Sequence, residues 1–219
     1  IALKKGSAVC GFYHHARRTI SLNGNMNLSR LMPGFDDPEL GSQQTFRAMV
    51  KALDNPGHPV QIKSTLSVPE DLNPASAALF LTLCNHGTTV WADLDWSSPL
   101  VEWFQYQCEC DIVTEPCMAS LALITAPISM PSMDNFRIGD NEHPDSSATL
   151  IVQVSKLPTK ATVSPIGKVV NMMINRALRG LTVNYRNQWN PPSNRFPLGI
   201  DIFLTCDDIL AVMPQSTWN

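Results

Sequence analysis

The run Thr149-Leu150-Ile151-Val152-Gln153-Val154 constrains this chain more than any other stretch. Aliphatic residues dominate it and leave no polar face to offer water. It therefore predicts a central β-strand buried on both sides, which in turn requires layers above and below it. A hairpin follows near the C-terminal end. Ile200 to Thr205 and Ile209 to Met213 flank the turn pair Asp207-Asp208, the pattern of two antiparallel strands joined tightly.

Helical signals lie upstream of that strand. Ser42 is a plausible N-cap, and Phe46, Met49, Val50 and Leu53 recur at i, i+3, i+4 and i+7, predicting one apolar stripe with Phe46 as its core anchor. Pro56-Gly57 ends that helix. Asn73-Pro74 opens a second, which runs through Leu79, Phe80 and Leu83 to a stop at His86-Gly87. Ser98-Pro99 opens a third, through Trp103 and Phe104. Thr88 to Leu94, Asp111 to Val113 and Ser120 to Thr125 read as strands, and residues 126–147 as a long surface loop. Lys168 to Arg179 has helical periodicity, and Thr182 to Trp189 suits another short helix. Helices interleaved with strands and closing on a hairpin predict an α/β fold with a mixed β-sheet flanked by helices.

Charge is unevenly spread. The first 35 residues carry Lys4, Lys5, Arg17, Arg18 and Arg30 without an acid, while the remainder holds 11 bases against 19 acids. An acidic body repels polyphosphate chains, so nucleic-acid binding is disfavoured. No apolar run approaches the roughly 20 residues of a membrane-spanning helix. Residues 1–26 are expected to be a disordered or foreign arm, and residues 27–219 a single α/β domain.

Motifs of self-sufficient catalysis are missing: there is no glycine-rich phosphate loop, no G-x-S-x-G elbow and no H-E-x-x-H helix. Cys108 and Cys110, with Cys117 and a distant histidine, make only a poor metal set, and reduced cysteines packed as small hydrophobes are the expectation. His86 suits the C-terminal end of a helix. Asp93 and Asp95 stand at the carboxyl end of a strand, where α/β sites often lie, though capping duties explain them as well. Arg47 invites an ion pair. Asp201, alternating with Ile200 and Ile202, must find a partner or face a cleft, and is the best single candidate for a functional residue. No residue is assigned a catalytic, cofactor-binding or metal-binding role.

Four stretches in order resemble the H-subunit family of the bacterial carbon–phosphorus lyase system. They are Phe46-Arg47-x-Met49-Val50-x-Ala52-Leu53 ending in Pro56-Gly57, then Leu81-Thr82-Leu83 leading to Thr88-Thr89-Val90-Trp91. Ala148 to Val154 and Phe196-Pro197-Leu198-Gly199-Ile200-Asp201 complete the set. Asn85 and Thr89 depart from the aspartate and proline usual in that family.

The resemblance implies a fold like the truncated large domain of a transferase dependent on pyridoxal phosphate, without the cofactor. It implies a cytoplasmic, non-autonomous subunit that forms a homodimer alone and joins subunits G, I and J in a core complex. With subunit L as a further functional partner, the set displaces adenine from ATP by a phosphonate, giving a ribose 1-phosphonate 5-triphosphate. Neither membrane nor nucleic acid is implied as a partner. A transferase of the pyridoxal-phosphate type, or another enzyme acting alone, is the alternative; Lys156, Lys160 and Lys168 are the lysines open to a Schiff-base role, but no phosphate cradle accompanies them. Trp103, Phe104 and Trp189 are either partner contacts or core.

Overall fold

A computed structural model describes residues 34–63, 65–95, 97–143, 146–157 and 199–214. The short strand β1 (Gly34–Phe35) leads into helix α1 (Pro38–Asp54), which is followed by β2 (Val60–Gln61), β3 (Leu66–Ser67) and α2 (Pro74–Leu83). Then come β4 (Thr89–Ala92), α3 (Pro99–Cys108), β5 (Asp111–Ile112), β6 (Leu121–Ile124), β7 (Thr149–Gln153) and the hairpin of β8 (Asp201–Cys206) and β9 (Ile209–Met213). The helical segments expected over 168–179 and 182–189 lie outside the described residues, as do Trp189 and the arm over 1–26.

Seven strands form one sheet in the order β2-β9-β8-β7-β6-β4-β5, while β1 and β3 pair separately. From β5 to β8 the neighbours are parallel; β9 and β2 run antiparallel at the other edge. The α/β mixed sheet expected from sequence is thus present, with β7 fourth of seven. Leu150, Ile151 and Val152 are wholly buried, because adjacent side chains point to opposite faces and both faces are covered.

Two cores result. Leu121, Leu123, Ile151, Phe203, Leu210 and Val212 point to the face that carries α1, α2 and α3. Their neighbours Ala122, Ile124, Leu150, Val152, Ile202, Leu204, Ala211 and Met213 point to the other, where Met130, Met133 and Phe136 of the 126–148 connection pack. That connection's described residues include two single-turn 3-10 segments, Pro127–Ser129 and Met133–Asn135. Trp103 and Phe104 are core, at 1% and 0% exposure, so neither is a partner contact.

Helices α2 and α3 begin where Asn73-Pro74 and Ser98-Pro99 predict. Helix α1 begins five residues earlier than an N-cap at Ser42 suggests. Asp37 is the N-cap, its carboxylate accepting from Leu40 N at 3.0 Å, and Pro38 supplies the first helical position.

The larger correction concerns which way α1 faces. Gly41, Thr45, Ala48, Met49 and Ala52 are buried, whereas Phe46, Val50 and Leu53 are 56%, 40% and 38% exposed. Phe46 is therefore not a core anchor. The buried face is lined with small residues because α1 lies close against its neighbours: a Cβ at Gly41 would meet Phe35 Cδ1 at 2.4 Å. Thr45 returns its own hydroxyl to Gly41 O at 2.8 Å, which removes the cost of burying it.

Candidate functional site

The carboxyl ends of the parallel strands are the usual place for ligand chemistry in such a sheet. Here Asp93 leaves β4 and reaches across to the chain leaving β6. Its Oδ1 accepts from Thr125 N at 2.7 Å and Thr125 Oγ1 at 3.0 Å, and its Oδ2 accepts from Ala126 N at 2.8 Å. Both oxygens are committed, so Asp93 acts as a clamp between two strand ends. Asp95 is exposed and closes a local turn, accepting from Ser97 N and Ser97 Oγ; these bonds hold its carboxyl below the ordinary range.

Further along the same edge, the tips of β7 and β8 meet the start of α2. Gln153 Oε1 accepts from Asn73 N at 2.7 Å, and Gln153 Nε2 donates to Asp71 O at 2.9 Å. Asn73 Oδ1 caps α2 by accepting from Ser76 N, and Asn73 Nδ2 donates to Thr205 Oγ1. The hairpin turn joins in: Asp207, in the left-handed region at φ 51°, accepts from Ala75 N at 2.9 Å, and Asp208 O accepts from Ile62 N at 2.8 Å. Asp207-Asp208 is thus a turn, as its sequence suggests, and also a docking point for α2 and β2.

These bonds bear on phosphate binding. A helix N-terminus holds an anion through unspent amide donors. Each of the three described α-helices has proline near its start and turns its next amides onto its own chain: Leu40 N to Asp37, Ser76 N to Asn73, Leu100 N to Ser98.

The remaining candidates do not converge. Asp201 opens β8 in register with Thr149, at the amino edge of the parallel strands and so opposite Asp93. It is half-buried and engaged with a partner, as a polar residue in a strand must be. Lys156 is exposed just beyond β7, and Lys160 and Lys168 lie outside the described residues. His86 sits past the end of α2 with Nδ1 3.7 Å from Glu109 Oε2, both side chains largely in water, where such a pair contributes little. Arg47, expected in an ion pair, makes none among the described residues; it stands exposed on α1.

One cluster was only half legible. Cys108 and Cys110 do come together, but with Cys84 rather than Cys117. All three are buried at the adjoining ends of α2 and α3. Hydrogen bonding to Cys108, then to Cys110, together with burial, pushes the Cys84 thiol up, while Cys110 is lowered chiefly because Cys84 donates to it. Among the described residues no group of three or more histidines, cysteines or acids is placed to hold a metal ion, and no helix is long and apolar enough to cross a membrane.

Among the described residues that sequence reasoning singled out, the outer face of α1 is left with no folding duty. At about 100° per residue, Phe46, Val50 and Leu53 fall within about 60° of one another on the side away from the sheet. A helix normally hides such a stripe. The sequence signal was the stripe itself, read with the wrong side inward.

Two comparisons bear on this chain. The profile of the family described as bacterial phosphonate metabolism protein (PhnH) matches residues 33–218. The protein named alpha-D-ribose 1-methylphosphonate 5-triphosphate synthase subunit PhnH, from Rhizobium meliloti (strain 1021), is 29% identical over 184 residues, covering 84% of this chain and 92% of the relative.

Proposed function

Because this chain belongs to the bacterial phosphonate metabolism protein (PhnH) family, we propose that it is a non-autonomous subunit of the carbon–phosphorus lyase system. Its work, done with partner subunits, is the formation of ribose 1-phosphonate 5-triphosphate: a phosphonate oxygen bonds to C1′ of ATP as the bond to adenine breaks. One observation carries this reading, the match along nearly its whole length to a relative named as a subunit of that synthase. The arrangement of the described residues agrees with it. Acids that a sequence reader would nominate for catalysis are engaged in holding strand ends and turns, and a helix presents apolar side chains outward as a subunit must.

The finer reading follows from the family. Residues 27–219 form one domain, supported by a family match that starts at residue 33. Its sheet, with three helices on one face, is akin to the truncated large domain of pyridoxal-phosphate-dependent transferases, without the cofactor. The partners are a second copy of the chain and subunits G, I and J, with subunit L as a functional companion, all in the cytoplasm.

Co-expression with tagged G, I and J subunits tests it. The chain is expected to co-elute with them in fixed ratio. An isolated chain that converts ATP and methylphosphonate unaided, or one that never associates with those subunits, overturns the reading.

A further inference from the structure

Cys84, Cys108 and Cys110 come from two separate segments that the fold fastens together. Phe80 of α2 stacks on Phe104 of α3 at 3.9 Å, and one turn further along each helix stand Cys84 and Cys108. Glu109 then takes the left-handed conformation, φ 51°, and points outward, while Cys110 turns back into the buried layer. The backbone ties the same two segments. Thr88 N donates to Asn85 O at 2.9 Å, and Asp111 N donates to Thr88 O at 3.0 Å. The residues next to Cys84 and Cys110 are thus joined through one intermediate residue, whose hydroxyl also accepts from Asn85 N at 2.9 Å.

Buried cysteines are ordinarily inert, because a dry pocket opposes the thiolate. This pocket carries its own donor. Cys84 donates to Cys110 and holds that thiol below its ordinary range, against the burial and the Asp111 carboxylate that push the other way. The pocket is also shallow. Cys84, Cys108 and Cys110 keep 7%, 9% and 5% of their surface, and the adjoining His86 and Glu109 side chains stand largely in water. Slivers of that size suit a small hydroperoxide and exclude a bulky disulfide such as oxidised glutathione. We propose that Cys110 and Cys84 are a peroxide-driven disulfide site, Cys110 reacting first and Cys84 resolving, which staples the end of α2 to the turn between α3 and β5. The Cys110 sulfur displaces hydroxide from hydrogen peroxide and becomes a sulfenic acid, and its proton turns that hydroxide into water. The Cys84 sulfur then displaces hydroxide from the sulfenic acid, its own proton leaving in the second water. Two thiols are oxidised to one disulfide as one peroxide is reduced to two waters. Cys108 packs beside the pair and stays a thiol. The site goes beyond the subunit reading above and does not depend on it.

Treating the reduced, full-length chain with a small excess of hydrogen peroxide tests the proposal. The intact mass should fall by two hydrogens, reductant should restore it, and peptide mass should find Cys84 joined to Cys110 within one chain. The midpoint of urea unfolding should rise in the oxidised form, since a cross-link constrains the unfolded chain. C84S should leave a sulfenic acid at Cys110 that dimedone traps. C110S should abolish both the bond and the trapped adduct, and C108S should leave the bond in place. Glutathione disulfide should add nothing to Cys84 or Cys110 in the folded chain. Retention of both thiols, a bond that forms only in denaturant, or one that joins Cys108, Cys117 or Cys206 instead overturns the site. So does oxidation of Cys110 past the sulfenic acid with no bond made. The bond mapped in the unaltered chain decides the matter even where circular dichroism shows a variant to be unfolded.

Discussion

The hydroxyl oxygens of Ser76 and Thr205 lie 2.6 Å apart, and neither residue has any exposed surface. The contact joins the first turn of α2 to the tip of β8 and sits within a network reaching Asn73, Gln153 and Val152 O. Thr205→Val keeps the shape and removes the hydroxyl, leaving Ser76 without its partner in a dry place. An unsatisfied buried group costs about 1–3 kcal/mol. The midpoint of urea unfolding is expected to fall with the slope unchanged, and an unaltered midpoint would show the network to be dispensable.

Two phenylalanines separate core from surface. The Phe104 ring stacks on Phe80 with centroids 3.9 Å apart, and both are wholly buried. Phe104→Ala is expected to cost about 3–5 kcal/mol, and Phe46→Ala less than about 0.5 kcal/mol in dilute, monomeric protein. Comparing the two unfolding curves checks the orientation of α1 directly, because with the helix turned the other way Phe46→Ala would cost as much as Phe104→Ala.

That orientation also shows where sequence reading succeeds and where it stops. Helices α2 and α3 were legible from Asn73-Pro74 and Ser98-Pro99 because capping is local chemistry. The strand at Thr149–Gln153 and the hairpin around Asp207 were legible because burial on both faces leaves no polar alternation. In α1 periodicity found the helix and misassigned its face. Gly41, Thr45, Ala48 and Ala52 form a competing stripe of small residues, and only the closeness of Phe35 and the sheet decides between the two. The two-residue strands β1, β2 and β3 carry no period to read. Cys84 joined Cys108 and Cys110 through helix packing, which spacing along the chain does not record.

That packing makes a prediction about thiol chemistry. Cys84 stands one helical turn beyond Phe80 and Cys108 one turn beyond Phe104, so the stack of the two rings brings the sulfurs into the next layer. The hydrogen bonds to Cys108 and Cys110, together with burial, keep Cys84 protonated, and the thiolate is the reactive form. In a time course with a maleimide at mildly alkaline pH, read by peptide mass, Cys84 is expected to be labelled only as the chain unfolds. Labelling of Cys84 in folded protein before half-exposed Cys117 would contradict the arrangement.

Asp93 gives the sharpest test of whether a strand-end acid is working as chemistry or as structure. Its two oxygens take three donors from Thr125 and Ala126, tying the exit of β4 to that of β6 where the 126–148 connection departs to cover the second face. Asp93→Asn can keep Oδ1 on Thr125, but its amide nitrogen then faces Ala126 N, donor against donor. Replacing an ionised acceptor at a half-buried site is expected to cost about 1–3 kcal/mol. The loss should appear as a lower unfolding midpoint and faster proteolysis of the 126–148 connection, with co-elution alongside the partner subunits retained in the folded fraction. The opposite pattern, full stability with the assembled complex inactive, would move Asp93 from the scaffold into the reaction.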